Sequence, residues 1–491
     1  MKPEEIMLQE RIKKLNELRE MDINPYAYSF NQTDHSKEIL EKFSKLKNEE
    51  KTKTKVSIAG RIILLRKMGK ASFLHIQDES GKIQVYIRQD DVGEEQYKMF
   101  KKLDIGDIIG VEGIVFKTKM GEVTIYTQKM TLLTKALYSL PEKHHGLQDK
   151  ETRYRQRYLD FIVNPETKEI FKKRHLILKY TREFLEKKRY IEVEIPLLQT
   201  QYGGANAKPF ITHINAWNMD MYLSISPELY LKRLIVGGFE NVYTICKNFR
   251  NESVDKSHNP EFTMMECYKA YEDYNFVIKL VEDLFEYVCK KVNGTTKIKY
   301  GKYILDFKAP WKKMTMKEAI KKYANLDIDK LSEKDLIKEL EKRKIEYKKG
   351  PKGKLVENLF EGTVEEHLIQ PTHIIDHPKE STPLCKLHRK NPELIERFES
   401  YILGIEVTNG YSELNNPELQ RKLLEEQAKE LRAGSEESHP MDEDFIRAIE
   451  QGLPPTAGVG IGIDRMVMFL TGAESIRDII AFPTMKPIEK E

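Results

Sequence analysis

A polar loop between two apolar runs carries the first group of residues whose types could do chemistry. Within twelve residues the loop contains Arg250, Glu252, His258, Asn259 and Glu261. A guanidinium held at the end of a strand binds phosphate through two parallel N–H donors. The flanking runs, 242–249 and 262–268, are rich in β-branched and aromatic residues and predict an antiparallel pair of strands. The loop therefore indicates a phosphate-binding site, although a solvated hairpin connection has the same composition.

Acidic residues recur at a fixed spacing near the other end of the chain. Glu399, Glu406 and Glu413 are seven residues apart in the segment 397–414. Because seven is odd, neighbouring members of the series would face opposite sides of an uninterrupted strand. A bulge or bend is needed to bring them into one pocket, and we expect it at Gly404 or Gly410.

A glycine-rich run close to the C-terminus positions a second arginine. The spacing of Gly458, Gly460 and Gly462 differs from the G-x-G-x-x-G fingerprint, and about 30 residues remain after it. That remainder is too short for the βαβ unit of a dinucleotide site, which we therefore exclude. The pattern instead predicts a strand that runs directly into a helix, with Arg465 in the first turn of that helix.

Several predicted elements lie before the loop and would shape the same region. A helix over 165–188 leads into a strand that stops at Pro196, and a proline restricts such a strand to an edge or an interface. The pair Gly203 and Gly204 allows a backbone to approach a ligand closely. A further strand ends near residue 226, and Pro227 then opens a helix that holds Glu228 in its first turn.

The first part of the chain has the alternating pattern of short strands. Residues 56–136 alternate with turns at 68–70, 79–81 and near 120–121, and they predict about five strands and a small closed barrel. An OB-fold is the common barrel of this kind that binds nucleic acid. Aromatic and amide side chains on its strands could stack on bases and read their edges, although strands contain such residues in any case. These side chains are Phe73, His75, Gln84 and Tyr86.

The remaining segments complete the predicted domain organisation. Residues 1–55 are expected to form a helical or irregular extension, 56–136 the barrel, 137–160 a polar hinge and 161–491 the catalytic domain. Within the last domain, residues 290–380 are lysine-rich and predict a mainly helical insertion. Ser332 and Asp335 have the spacing of a capping box.

Composition limits the class of protein. The 491 residues carry a formal net charge of +4 and 33% charged side chains, and no apolar run approaches the roughly 18 residues of a membrane span. Mean hydropathy is -0.58. The four cysteines show no C-x-x-C pair, which argues against a zinc site or a disulfide framework. We expect a soluble cytoplasmic protein without a targeting segment, whose mild basic charge permits a polyanionic partner.

Three motifs, taken in order, carry a resemblance to a known family. They are the helix and strand that end at Pro196, FRNE at 249–252 with HNPEFT at 258–263, and GVGIGIDR at 458–465. Together they resemble the signature motifs of class II aminoacyl-tRNA synthetases, most closely those of the lysyl-tRNA synthetases. The resemblance covers nearly the whole chain, including SPELYLKRL, FTMMECY, NGYSEL and DIIAFPTMKP. Class I synthetases and P-loop enzymes are excluded, because their H-x-G-H, KMSK-like and G-x-x-x-x-G-K-[ST] elements are missing from the sequence.

The resemblance implies an α+β fold and a reaction. The fold would be a class II antiparallel sheet flanked by helices, preceded by an N-terminal OB-fold β-barrel, and the protein would be a homodimer. The reaction would form lysyl-adenylate from L-lysine and ATP, with Mg²⁺ as cofactor, and then transfer lysine to the 3' end of tRNA(Lys). No membrane partner is implied.

The resemblance also implies roles for individual residues. Arg250 would bind the α-phosphate and Arg465 the γ-phosphate, which makes both catalytic. The implied ATP-binding residues are Arg250, Glu252, His258, Asn259, Phe262, Glu399, Glu406 and Arg465. The implied lysine-binding residues are Gly204, Glu228, Arg250, Glu266, Tyr268, Asn409 and Glu413. Glu399 and Glu406 are the implied Mg²⁺ ligands, and the implied anticodon-binding residues are Phe73, Gln84 and Glu122.

Three other functions share parts of this pattern. Aspartyl- and asparaginyl-tRNA synthetases have the barrel and the motifs, but an aspartate pocket needs a cation where this chain offers Glu228 and Glu413. A nucleic-acid-binding protein could keep the scaffold without turnover, and an exchange assay would distinguish it. Lysine ligases that act on a translation factor lack the barrel.

Overall fold

The structure is a computed structural model that describes residues 3–141, 147–347, 349–432 and 440–488. Parts of the expected domains fall outside these ranges: 1–2 of the extension, 142–146 of the hinge, 348 of the insertion, and 433–439 and 489–491 of the catalytic domain. The chain divides into two compact units, Met1–Gln148 and Asp149–Glu491. Within the described ranges, no helix combines the length and the apolar character that crossing a membrane requires.

The N-terminal unit contains helices followed by a barrel. Its elements are α1 (Pro3–Glu20), α2 (Ser36–Lys42), β1 (Lys51–Met68), β2 (Ala71–Gln77), β3 (Lys82–Arg88), α3 (Gln89–Val92), α4 (Glu94–Lys101), β4 (Ile108–Lys117) and β5 (Val123–Thr134). The strands close in the order β1-β2-β3-β5-β4, so the predicted five-stranded barrel is confirmed for the described residues.

Alternation along β2 and β3 sorts the barrel's side chains into two faces. Leu74, Ile76, Ile83 and Val85 are buried in the barrel core, whereas the residues between them are partly exposed on the other face. This is the period of two that a half-buried strand dictates. β1 begins at Lys51 rather than at residue 56, and the end of the expected helical lead-in is therefore strand. Lys51 pairs with Phe116 of β4, a long-range contact that local composition does not reveal.

The C-terminal unit is larger and mixed. Its helices are α5 (Lys150–Arg155), α6 (Arg157–Val163), α7 (Pro165–Lys187), α8 (Glu228–Val236), α9 (Tyr274–Asn293), α10 (Met316–Ala324), α11 (Glu333–Lys342), α12 (Lys352–Thr363), α13 (Pro417–Arg432), α14 (Glu443–Glu450), α15 (Ile463–Thr471) and α16 (Ile476–Ile479). Short 3-10 turns cover Ile328–Lys330, Glu365–His367 and Lys379–Ser381. Its strands are β6 (Ile191–Glu192), β7 (Leu198–Gln199), β8 (Ile211–Ile214), β9 (Met219–Leu223), β10 (Asn241–Phe249), β11 (Glu261–Ala270), β12 (Lys297–Tyr300), β13 (Tyr303–Asp306), β14 (Lys312–Thr315), β15 (Thr372–Pro378), β16 (Leu387–His388), β17 (Asn391–Ile402), β18 (Ile405–Ser412) and β19 (Thr456–Gly462).

One large sheet organises this unit. Its strands run in the order β14-β15-β17-β18-β19-β11-β10-β6, and β16 pairs with β17. The central pairs are antiparallel, and only the outer pairs β14–β15 and β10–β6 are parallel within the described residues. Apolar residues of α7, α9 and α15 pack against the sheet in its main core, including Ile177, Phe285 and Phe469. The predicted α+β architecture, with an antiparallel sheet flanked by helices, is confirmed.

Two expected segments differ in part from the observed sheet. The segment 290–380 contains more helix than strand, but it also includes β12 to β15, and β14 and β15 extend the large sheet. The helices α10, α11 and α12 of this segment form their own apolar cluster with residues such as Leu336 and Phe360. The strand that was expected to run to Pro196 is observed only as the two-residue β6, which ends at Glu192. It lies at the edge of the sheet, so the expected edge position is confirmed.

The acidic segment folds as two strands rather than as one bent strand. β17 and β18 are joined by Leu403 and Gly404, whose φ angles of 52° and 73° lie in the left-handed region that a tight connection requires. A register shift follows Ser400, so that Tyr401 pairs with Glu406. Gly404 is therefore a turn, whereas Gly410 lies in regular strand. Its role is close packing, because a Cβ there would lie 2.7 Å from the Gly458 carbonyl oxygen.

Candidate active site

A cavity of about 370 Å³ lies against the large sheet. Strands β11, β17, β18 and β19 form its floor, and the β10–β11 loop, α8 and α15 contribute its sides. It brings together every catalytic-domain residue to which the sequence assigned a site: Gly204, Glu228, Arg250, Glu252, His258, Asn259, Phe262, Glu266, Tyr268, Glu399, Glu406, Asn409, Glu413 and Arg465. These residues span more than 250 positions of sequence, so the sheet rather than chain proximity gathers them.

Arg250 follows β10 and points a donor-rich group into the cavity. One guanidinium nitrogen, Nη2, donates to the Ile225 carbonyl oxygen at 3.4 Å, and the buried Nε has no hydrogen-bond partner among the described residues. The guanidinium carbon lies 5.1 Å from the centre of the Phe262 ring. Burial lowers the pKa of Arg250, and the carboxylates of Glu252 and Glu406 oppose that shift. A buried N–H without a partner beside a cavity can donate a hydrogen bond to an anionic ligand.

Arg465 occupies the first turn of α15, as the sequence predicts. Its Nη1 donates to the Glu406 carbonyl oxygen and lies 3.6 Å from Glu406 Oε2, and its Nη2 lies 3.2 Å from His258 Nε2. The neighbouring Asp464 accepts from the Thr263 backbone N–H at 2.7 Å and from Arg174 at 2.6 Å. Arg174 and Asp464 thus attach the start of α15 to β11 and α7, which holds the Arg465 backbone in place.

Glu399 and Glu406 lie on adjacent strands beside Arg397. Glu399 forms an ion pair with Arg397 and accepts from the Tyr401 hydroxyl at 2.5 Å. Burial raises the pKa of Glu406 and Glu399 raises it further, whereas Arg465 and Arg397 act in the opposite direction. The carboxylates of Glu399 and Glu406 therefore repel each other, and a bound cation would reduce that repulsion. No group of described residues contains three side chains placed to hold a metal by themselves.

The other end of the cavity is lined by buried acids. Glu228, Glu266 and Glu413 are 4%, 4% and 1% exposed, which few carboxylates are unless they are paired. Glu266 accepts from the Ser226 hydroxyl at 2.8 Å and from the Tyr268 hydroxyl at 2.9 Å. Burial and then the charge of Glu228 raise the pKa of Glu266 to about 7, against the hydrogen bonds that lower it.

Glu228 and Glu413 share a cation that the sequence analysis missed. The Lys232 Nζ lies 2.6 Å from Glu228 Oε1 and also forms an ion pair with Glu413 Oε2. The Tyr411 hydroxyl donates to the same Glu228 oxygen at 2.6 Å. Glu413 Oε1 is buried and has no hydrogen-bond partner in the part of the chain that is described. The i, i+4 spacing of Glu228 and Lys232 on α8 was the available signal, but that spacing is ordinary on helix surfaces.

Glycines leave the space that the cavity needs. Gly458, Gly460 and Gly462 recur at alternate positions of β19 and all line the cavity. A Cβ on Gly458 would lie 2.2 Å from Glu413 Oε1 and 2.3 Å from the Tyr268 ring. Gly204 has a φ of +85°, and a Cβ there would lie 2.8 Å from Ser226 Oγ. The G-x-G-x-G run is therefore the floor of a pocket rather than a phosphate-binding turn.

The three residues assigned to the anticodon lie on one face of the barrel in the N-terminal unit. Gln84 Nε2 donates to Glu122 Oε2 at 2.7 Å, and His75 Nε2 lies 2.8 Å from Glu122 Oε1. The Phe73 ring lies 4.8 Å from that of Tyr86, its cross-strand partner. Partly exposed aromatic rings beside amide and carboxylate groups can stack on bases and bond their edges.

Comparisons with known proteins agree with this arrangement. Residues 149–486 match the family of class II tRNA synthetases (D, K and N), and residues 56–133 match the OB-fold nucleic acid binding domain. The chain is 52% identical over 484 residues to a lysine–tRNA ligase of Thermoanaerobacter sp. (strain X514), covering 98% of this chain and 96% of the relative. It is 50% identical over 487 residues to the one of Clostridium novyi (strain NT), covering 98% and 94%. It is 48% identical over 483 residues to the one of Methanoculleus marisnigri, covering 97% and 94%.

Proposed function

The chain belongs to the class II tRNA synthetases, in the group of the lysine–tRNA ligases, and we propose that the cavity described above is where it joins L-lysine to ATP. The overall reaction activates L-lysine as lysyl-adenylate with release of pyrophosphate and then transfers lysine to the 3' end of tRNA(Lys). One observation supports the location most strongly. Two arginines and a group of buried acids, from distant parts of the sequence, line the same cavity.

The arginine end suits the phosphates of ATP. In the first step a carboxylate oxygen of lysine attacks the α-phosphorus, and the bond to the β-phosphate breaks, so that pyrophosphate leaves with the electron pair. The attack brings two anions together, and catalysis must therefore consist of charge neutralisation and in-line positioning. We assign the α-phosphate to Arg250 and the γ-phosphate to Arg465, whose guanidiniums are held at the start of a loop and in the first turn of α15.

The nucleotide would be held by the loop between β10 and β11. Phe262 offers a ring for adenine, and Glu252, His258 and Asn259 surround it in the same cavity. The buried Asn259 Oδ1 has no hydrogen-bond partner among the described residues, although its amide nitrogen donates to the Glu261 carbonyl oxygen at 2.6 Å. A buried acceptor of this kind supports a donor on the ligand, such as an amino group.

Mg²⁺ would be held by Glu399 and Glu406. Carboxylate oxygens are the hard donors that Mg²⁺ prefers, and it usually takes one or two carboxylates together with phosphates and water. These two residues are on paired strands and line the cavity beside Arg465. When bound, the ion would neutralise phosphate charge.

The acidic end suits a cationic amino acid. Glu228, Glu266 and Glu413, with Tyr268, Asn409 and the Gly204 backbone, would surround the ammonium groups of lysine, and Arg250 would meet its carboxylate. An aspartate or asparagine substrate would instead place a carboxylate or an uncharged amide among these buried acids, at a high desolvation cost. The charge of the pocket therefore favours lysine within the family.

The remaining proposed partners are tRNA(Lys) and a second copy of the chain. Phe73, Gln84 and Glu122 on the barrel would bind the anticodon of tRNA(Lys). Exposed apolar side chains near the start of the C-terminal unit support a homodimer, among them Trp217 at 67% and Ile191 at 52% exposure. Large apolar side chains that are exposed on one protomer can be covered by a second protomer. We propose that the enzyme works in the cytoplasm, where aminoacyl-tRNA is used.

ATP–pyrophosphate exchange with each of the twenty amino acids tests the proposed function. Lysine alone should support rapid exchange, and tRNA(Lys) should then accept lysine in a charging assay. Arg465→Lys keeps the charge but loses the planar donor pair, and it should lower exchange strongly. Arg421→Lys is a matched control, because Arg421 makes only surface ion pairs with Glu443 and Glu450. Exchange with aspartate or asparagine, or equal effects of both variants, would overturn the assignment.

A further inference from the structure

Lys232 is an unusual residue to find behind an acidic pocket. Its side chain is 0% exposed, and the ammonium lies between Glu228 and Glu413. It does not line the cavity itself, whereas both of its carboxylate partners do. Each partner gives Lys232 one oxygen, and the other oxygen of Glu413 is left without a hydrogen-bond partner among the described residues. Burying an ammonium is costly unless it is paired, and Lys232 is paired with a carboxylate on each of two elements.

The surroundings of Lys232 contain few other charges. On α8 it faces Glu228, and beyond β18 it faces Glu413. Two aromatic rings also lie near the Nζ, with the Tyr411 ring centre at 5.5 Å and that of Phe445 on α14 at 5.9 Å. The other titratable groups that act on this cluster include Glu266 and Tyr268 of β11, Tyr411 of β18 and the thiol of Cys385, and Arg250 acts on Glu266.

The charges of this cluster match those of one substrate. Three carboxylates, Glu228, Glu266 and Glu413, stand against the single ammonium of Lys232, which leaves two net negative charges when all are ionised. Lysine carries two ammonium groups, and its carboxylate is assigned to Arg250. With Lys232 in place the filled pocket is neutral, whereas without it one carboxylate would remain buried and unpaired.

We propose that Lys232 is a positioning and specificity-determining residue, a fixed internal cation that orients Glu228 and Glu413 so that the pocket accepts the two ammonium groups of lysine. The proposal rests on the proposed function of the cavity as the lysine site. The geometry gives the mechanism: Lys232 holds Glu228 Oε1 and Glu413 Oε2. A Cβ on Gly458, which lines the cavity, would lie 2.2 Å from Glu413 Oε1, so this second oxygen of Glu413 borders the substrate side. Lys232 itself touches no reacting atom.

The protonation of the cluster supports this role. Burial lowers the pKa of Lys232, but the ion pairs with Glu228 and Glu413 outweigh burial and raise it above its usual value. Burial also raises the pKa of Glu413, and Lys232 is the largest influence in the opposite direction. Replacing Lys232 by a neutral residue would therefore raise the pKa of Glu413 further. A protonated acid must lose its proton before it can bind an ammonium, so lysine binding would then depend more steeply on pH.

The test is the pH dependence of the lysine KM in ATP–pyrophosphate exchange for the full-length wild type and for Lys232→Met. In the wild type the lysine KM rises below a certain pH. In Lys232→Met that pH should move upward by about one unit or more, the usual effect of losing an opposite charge at hydrogen-bond distance. The ATP KM should stay within about twofold, because no phosphate contact is lost. Calorimetry in buffers of different ionisation enthalpy should show that the variant releases more protons on binding lysine.

Two further variants separate charge from structure. Lys232→Arg keeps a cation, so its pH profile should stay at the wild-type position even if its KM is higher throughout. Lys135→Met is the matched control, because Lys135 is also a buried lysine that pairs with two carboxylates, Asp104 and Asp107, but lies in the N-terminal unit. The Lys135→Met variant should leave the pH dependence of the lysine KM unchanged. If Lys232→Met does not fold, as shown by thermal melting, Lys232→Gln provides the neutral replacement.

The outcomes distinguish this proposal from the one on which it rests. A lysine KM that rises equally at every pH in the neutral variants, together with a rise in the ATP KM, would overturn the role of Lys232 and leave it a structural residue. Failure of the wild type to exchange with lysine would instead overturn the proposed function. A pH shift in Lys232→Arg as large as that in Lys232→Met would also refute the charge argument.

Discussion

Gly458→Ala is the most direct steric test of the lysine pocket. The new Cβ would lie 2.2 Å from Glu413 Oε1 and 2.3 Å from Cε1 of Tyr268, well inside contact distance. Gly458 sits in β19 between its partners Tyr268 of β11 and Tyr411 of β18, so its backbone cannot move away easily. The side chains of Glu413 and Tyr268 must therefore shift, and both are assigned to lysine.

The magnitude follows from the cost of overpacking. Inserting a methyl group into a filled site typically costs about 1–3 kcal/mol, which corresponds to an increase of about 5-fold to 150-fold in the lysine KM. The ATP KM should change by less than about threefold, because the arginines that are assigned to phosphate are elsewhere in the cavity. Steady-state ATP–pyrophosphate exchange, with lysine and ATP varied separately, measures both values.

Gly462→Ala provides the control on the same strand. A Cβ on Gly462 would make only ordinary contacts, the nearest at 3.6 Å from Cδ of Arg465. Its lysine KM should therefore remain within about threefold of the wild type. The reasoning is refuted if Gly458→Ala folds with a normal melting temperature and an unchanged lysine KM, or if it raises the KM of both substrates equally.

Other perturbations address the remaining assignments. Glu413→Gln should raise the lysine KM by about 100-fold or more, since breaking a buried ion pair costs about 3–5 kcal/mol, and an unchanged value would contradict its assignment. Phe73→Ala should weaken tRNA charging by about 5-fold to 150-fold through lost stacking, with lysine activation intact; equal losses in both assays would refute a role in the anticodon site. The lysine kcat/KM should fall as the pH drops below about 7, because Glu266 has its pKa near that value and binds an ammonium only when ionised. Tyr268→Phe removes a hydrogen bond that lowers this pKa, so the fall should begin at higher pH, and a fall that begins at lower pH would contradict the assignment. Glu399→Gln should raise the Mg²⁺ concentration required for half-maximal exchange, and no change would argue against it as a ligand.

Local pattern predicted much of the framework correctly. The barrel follows from the alternation of apolar and polar residues and from the glycine turns. The strand β19, which leads directly into α15, follows from its small and β-branched residues. The capping box of Ser332 and Asp335 is present as expected. Each of these features depends on residues that are close in sequence, which is where periodicity and turn chemistry act.

Long-range pairing explains where the predictions were wrong. The strand β14 was missed because its lysine-rich surroundings favour helix, while its pairing partner β15 lies far along the chain. Gly404 was expected to mark a bulge or bend, and it forms the turn between two strands. β1 is longer than predicted and β6 is shorter for the same reason, since the length of a strand depends on the strand with which it pairs.

The sequence by itself determined which chemical groups the chain has and on which kind of element each one stands: arginines at the starts of a loop and a helix, acids on strands and in the first turn of a helix, and aromatic side chains on a barrel. The tertiary structure decided which of them meet. Residues as distant as Glu228 and Glu413 share one buried cation, and three glycines open the floor beneath them, only because the sheet stacks β11, β18 and β19 side by side. Burial and opposing charge are properties of that assembled neighbourhood, and no local pattern encodes them.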